Sequence, residues 1–193
     1  MCDSKEIPYL DTRYDPHTRI PIVNLYPHAD ILAEMVLDLV TIWEWTSYTI
    51  LYESSPWLAR LSDLLEMYDP KGHTVTVRRL DLNLPTKNYR STLRLTRMSE
   101  DTNIILECSI DSLPEVLSQM QQVGMLTQQY RYLITTLDAH TIDLQPYQFS
   151  DTNITTIRII RPDNPSLKNF TDYLKELEDE PEEGAEPIAD ARK

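Results

Sequence analysis

Residues 103–138 read NIILECSIDSLPEVLSQMQQVGMLTQQYRYLITTLD, and this stretch decides the fold. Asn103–Cys108 is a short apolar run of the kind found in a strand buried on both faces. Ser112-Leu113-Pro114-Glu115 has the form of a capping box. The serine hydroxyl would take one orphan backbone N–H, the glutamate would reach back to another, and proline suits the first turn. Leu113, Val116, Leu117, Met120 and Val123 follow at helical spacing and give one apolar face. Gly124 suits the left-handed residue that ends a helix. Tyr130–Thr135 then reads as a second strand. Strand, helix, strand at this spacing predicts a parallel pair joined by a right-handed crossover.

The same rhythm extends in both directions. Asp30–Trp45 predicts a largely buried helix, because Ile31, Leu32, Met35, Val36, Leu39, Ile42 and Trp43 form a broad stripe. Ser47–Tyr52 predicts a strand, Pro56–Tyr68 a helix, Pro70-Lys71-Gly72 a turn, and residues 73–80 a half-exposed strand. Lys87–Met98 predicts a shorter helix. Downstream, Ala139–Ser150 is a polar loop, residues 154–160 a strand, and Pro165–Leu177 a helix capped by Asp163 or Asn164. Four helix–strand repeats of this kind imply an α/β fold, a mostly parallel open sheet with helices on both faces. Two flanks differ. Residues 1–27 hold two short extended pieces, around Ile7–Leu10 and Ile20–Tyr26, that are too small to form a layer alone. From Glu178 onward the acidic, proline-containing sequence predicts disorder.

Composition removes several function classes. The net charge is −13, and an acidic surface repels phosphate backbones, so nucleic acid is not an expected partner. No run approaches the ~20 apolar residues of a membrane helix, and the first residues lack the apolar core of a secretion signal. The three glycines, Gly72, Gly124 and Gly184, lie too far apart for a dinucleotide or phosphate loop. His17, His28, His73 and His140 have no ligand spacing, so neither a metal nor another cofactor is expected. Cys2 and Cys108 form no redox or metal motif. No serine sits on a nucleophile elbow, which argues against an α/β enzyme. Thr135, Thr136, Asp138 and His140 fall at a strand's carboxyl end, where open α/β sheets face their ligand crevice. The same residues also suit a capped turn. Lys87, Arg90, Arg94 and Arg97 form a basic stripe, either a solvated helix face or a surface for an acidic partner. Asn153-Ile154-Thr155 and Asn169-Phe170-Thr171 are glycosylation sequons.

Several stretches together resemble the amino-terminal domain of ionotropic glutamate receptors, closest to the kainate type. They are CDSKEIPYLDTR from Cys2, LYPHADILAEMVLDLVTIWEW from Leu25, ILECS from Ile105, and VGMLTQQYRYLITTLDAHTIDLQPY from Val123. The last is the most specific. The Asn153 sequon and its strand also look like the family's. The resemblance implies one lobe of a clamshell of the type I periplasmic-binding-protein class, extracellular at the cell membrane and acting in subunit assembly. Other receptor subunits would be its partners, and no ligand residues carry over. The likeness begins in mid-lobe 1 and stops after the Pro165 helix, so the chain reads as a fragment. Residues 1–27 would be a remnant of lobe 1 and the crossover, 28–177 lobe 2, and 178–193 the tail. The alternative is a small-ligand sensor lobe of the same fold.

Overall fold

The computed structural model describes residues 9–11, 22–66, 72–80 and 88–179. Cys2, Lys87, the Pro70–Lys71 turn and the chain beyond Asp179 lie outside the described residues. The chain forms two units, residues 1–157 and 158–193.

The first unit begins with β1 (Tyr9–Asp11) and β2 (Ile22–Asn24), which pair in parallel, Tyr9 opposite Ile22. The two extended pieces, too small to form a layer alone, pair with each other. Then come α1 (Ala29–Ile42), β3 (Ser47–Tyr52), α2 (Ser55–Leu58), α3 (Ser62–Glu66) and β4 (Thr74–Arg79). They are followed by α4 (Arg90–Met98), β5 (Asn103–Glu107), α5 (Leu113–Gln122), β6 (Arg131–Ile134) and β7 (Asn153–Thr156). β3 to β7 make one sheet in the order β4-β3-β5-β6-β7, and every pairing is parallel. Register is continuous across it: Ile50 opposes both Val77 and Ile105, and Ile105 opposes Leu133.

Alternation along the strands sorts the core into two layers. Ile50, Ile105 and Leu133 point to one face, where Val36 and Val40 of α1 and Leu64 of α3 cover them. Leu51, Ile104, Leu106, Tyr132 and Ile134 point to the other, against Leu93 of α4 and Val116, Leu117 and Met120 of α5. Both faces of β5 and β6 are therefore dry, which is why these strands read as unbroken apolar runs.

Helix ends follow local chemistry. α5 closes with Gly124 at φ +72, while Met125 N donates to Met120 O (2.9 Å) and Gly124 N to Gln121 O (3.0 Å). This is the left-handed close expected of that glycine. α1 closes by the same pattern but with Glu44 at φ +54: Trp45 N donates to Val40 O and Glu44 N to Thr41 O, both at 3.0 Å. The helix thus stops at Ile42, three residues short of the expected end, and the turn drives Trp45 into the core.

Three expectations need correction. Ser112 and Glu115 form no capping box. Ser112 is already helical in φ and ψ, its Oγ donates to Glu53 Oε1 (2.7 Å), and Glu115 accepts from Gln119 Nε2. The single helix expected over 56–68 is broken into α2, a 3-10 turn Ala59–Leu61, and α3. The break falls on the turn that carries Arg60, whose guanidinium goes inward. The last strand is short, ending at Thr156 rather than Ile160.

The second unit holds α6 (Pro165–Asp179). Asn164 Oδ1 accepts from Ser166 N (2.9 Å), so Asn164 is the cap. Among the described residues no helix is long and apolar enough to cross a membrane.

Candidate functional site

The strand order defines a switch point. From β3 the chain steps outward to β4, then returns past β3 to β5. In open α/β sheets the crevice for a ligand opens outside the strand carboxyl ends at such a reversal. Here those ends carry Tyr52-Glu53 on β3 and Glu107-Cys108 on β5, joined by Glu53 N donating to Glu107 O (3.0 Å).

Glu107 sits at the centre of this edge, with 0% of its surface exposed. A buried carboxylate needs a cation and hydrogen bonds. Arg60, 3% exposed, supplies the first: its Nη2 pairs with Glu107 Oε1. Thr135 Oγ1 donates to Glu107 Oε2 and also approaches Leu106 O (3.1 Å). Arg60 Nη1 donates to Tyr26 OH (2.8 Å), and the guanidinium lies 5.0 Å from the Trp57 ring centre. Tyr26 belongs to the connection from β2 to α1, so the ion pair fastens that connection to the sheet. Beside the pair lies a cavity of ≈ 10 Å³, walled by Leu32, Val36, Arg60, Glu107 and Thr135. That is about the space of one water molecule.

Glu53 closes the neighbouring corner. Its carboxylate accepts from Ser109 N and Ser112 Oγ, both at 2.7 Å, and so holds the loop that leads into α5. Burial, with the Glu53 carboxylate nearby as the lesser cause, pushes the Cys108 thiol up, so it stays protonated. It is an inert core residue.

The four residues expected at the cleft separate into two pairs. Thr135 and Thr136 are buried, Thr135 on Glu107 and Thr136 through a bond to Cys108 O (2.6 Å). Asp138 and His140 are exposed on a 3-10 turn, Ala139–Thr141. Asp138 O accepts from Thr141 N and Oγ1, and His140 Nδ1 lies 3.3 Å from Leu137 O. The four do not converge. Arg60, Glu107 and Glu53 escaped the sequence reading, yet a signal existed: Glu107 is the one charge in ILEC, a run read as buried on both faces. Both sequon asparagines are exposed, Asn153 at the start of edge strand β7 and Asn169 in α6. In the basic stripe, Arg97 Nη1 donates to Val123 O (2.9 Å) and Arg90 Nε to Gln122 Oε1 (2.9 Å), tying α4 to α5. Among the described residues no group of three or more His, Cys, Asp or Glu could hold a metal.

An all-parallel crossover sheet, helices on both faces and a switch point at β3/β5 define an α/β lobe of the periplasmic-binding-protein-like class. The chain matches the receptor family ligand binding region over residues 1–191, and it belongs to that family. It is 30% identical over 175 residues to glutamate receptor ionotropic, kainate 1, of Mus musculus, an alignment covering 88% of this chain and 21% of the relative. The proteins of the same name from Homo sapiens (30% identical, 88% and 19% covered) and Rattus norvegicus (31%, 88% and 18%) are similarly related. The chain therefore spans about a fifth of the length of these relatives. They are named as receptors, and none as an enzyme.

Proposed function

We propose that this chain is a non-catalytic segment of the ligand-binding region of a kainate-like ionotropic glutamate receptor subunit. It lies on the extracellular side of the cell membrane and contributes to subunit assembly. The observation that carries this reading is the state of the switch-point edge. Its charged and hydroxyl groups are committed to one another, with Glu107 on Arg60 and Thr135, and Glu53 on Ser109 and Ser112. The cavity beside them is ≈ 10 Å³, whereas small-molecule sites span about 300–1,000 Å³. A lobe whose edge is closed in this way works through its outer surfaces. Asp138 and His140 face the cleft, and Thr135 and Thr136 hold the turn that presents them. Asn153 and Asn169 are the glycan acceptors, which glycosidase treatment of the secreted chain tests by mass.

The deciding experiment pairs two measurements. The chain is co-expressed in the secretory pathway with a kainate receptor subunit and tested for capture, and the purified chain is titrated calorimetrically with glutamate and other small amino acids. Capture without saturable heat supports assembly. Saturable heat without capture would replace it with the sensor-lobe reading.

A further inference from the structure

The five-stranded sheet has two outer strands, β4 and β7. An outer strand offers a row of amides and carbonyls on which another chain can build, and charges on the strand are a common defence. β4 ends in Arg78 and Arg79. β7 reads Asn153-Ile154-Thr155-Thr156 and holds no charge. Ile157 follows, so four β-branched residues stand in a row. The nearest charges in sequence, Asp151 and Arg158, lie beyond the ends of the strand.

The outer side of β7 is arranged to accept a further strand. Asn153 N donates to Tyr130 O (3.4 Å), so its amide points into the sheet. Successive amides of a strand alternate in direction, and those of Ile154 and Thr156 therefore point outward. Among the described residues no strand lies beyond them. Ile154, Thr155 and Thr156 are half-buried. An uncharged, proline-free run of β-branched residues along an open edge has the composition of segments that stack copies into larger sheets. The same four residues contain the sequon Asn153-Ile154-Thr155, with its asparagine exposed at the first position of the strand.

We propose that an oligosaccharide on Asn153 protects the β7 edge, taking there the part that charge takes on β4. This rests on the reading of Asn153 as a glycan acceptor and gives that site a role. A strand adding to β7 must run alongside residues 153–156, and a hydrated, mobile sugar chain rooted at the first of them sweeps that path. Asn169 is not equivalent. It lies on α6, and a helix satisfies its backbone groups along its own length, so sugar there covers no edge.

The full 193-residue chain is secreted as wild type, Asn153→Gln, Asn153→Lys and Asn169→Gln. Intact mass counts the sugars, sedimentation at about 100 μM reads association, and the infrared amide I band reads intermolecular strands. Asn153→Gln should associate beyond the glycosylated wild type and gain intermolecular strand, with the amides of Ile154 and Thr156 newly protected from hydrogen exchange. Asn169→Gln should associate no more than wild type. Asn153→Lys, which sets a charge where the sugar was, should recover most of the dispersion that Asn153→Gln loses. Both asparagines are exposed, so the fold is not at stake, and unchanged urea midpoints verify that. Asn153→Gln no more associated than wild type, Asn169→Gln as associated as Asn153→Gln, or Asn153→Lys no better dispersed than Asn153→Gln each overturns the edge role while the acceptor reading stands. A wild-type chain with no sugar on Asn153 removes the acceptor reading and this role together.

Discussion

The ion pair at the switch point makes the sharpest prediction. Arg60→Met removes the cation and keeps a flexible apolar side chain of similar length. Glu107 would then be left fully buried with Thr135 as its remaining partner of those described above, and breaking a buried pair from one side costs about 3–5 kcal/mol. That is a large share of the about 5–15 kcal/mol that holds an ordinary domain together. At a urea slope of about 2 kcal/mol/M, the unfolding midpoint should drop by about 2 M. Arg60→Met/Glu107→Leu takes both charges away. It should regain most of the loss, because a buried pair is often replaceable by apolar side chains at little cost. Thr135 keeps its bond to Leu106 O, while Tyr26 loses the bond from Arg60, so recovery should stop somewhat short of wild type. The assay is urea unfolding followed by tryptophan fluorescence, with Trp57 lying over Arg60. A single variant within about 1 kcal/mol of wild type would refute the claim that Arg60 compensates Glu107. A double variant as unstable as the single would show that packing, not charge, is what Arg60 supplies.

Three further outcomes follow from the geometry. Glu44→Gly should stabilise the chain by about 0.5–1 kcal/mol, because glycine takes the left-handed close of α1 without the Cβ penalty; thermal unfolding checks it. Tyr89→Phe should leave stability unchanged or raise it by up to about 1 kcal/mol, since the Tyr89 hydroxyl is buried and finds no hydrogen-bond partner among the described residues; a loss above about 1 kcal/mol in the same assay would contradict this. Burial pushes the Tyr48 hydroxyl up to about 12 from 10. A group whose folded value is raised contributes stability below its unfolded value and loses it as pH rises through the folded one. Stability should therefore fall between about pH 10 and 12, and Tyr48→Phe should flatten part of that fall. Tyr132, also shifted up by burial, accounts for a further part.

What was legible in the sequence was what neighbours in the chain decide. The apolar runs at Ile104–Leu106 and Tyr132–Ile134, the stripe on α5 and the glycine at its end are local patterns, and each appears where the spacing puts it. What was not legible depends on partners far away in the chain. Ser112 looked like a cap because Glu115 stood three residues on, but Glu53, fifty-nine residues earlier, takes its hydroxyl. The switch point could not be read either, since helix–strand spacing is the same whether the chain steps outward or doubles back. Without the strand order, nothing in the spacing places the reversal between β3 and β5. Glu107 was the available clue. An acid at the end of a doubly buried strand demands a cation, and Arg60 lies on the inward side of its helical stretch, one turn before Leu64.

The strand order also bears on how the chain is made. β3 is laid down first, β4 and β5 settle on its two sides, and β6 and β7 then extend the sheet outward in the order in which they are synthesised. No strand ever has to wedge itself between two that are already joined. Each arrival finds its template waiting, so a nascent polypeptide emerging from the ribosome can add one crossover at a time. A long parallel sheet is ordinarily slow to assemble because its contacts are distant in the chain; growth from an interior seed turns that single search into four short ones.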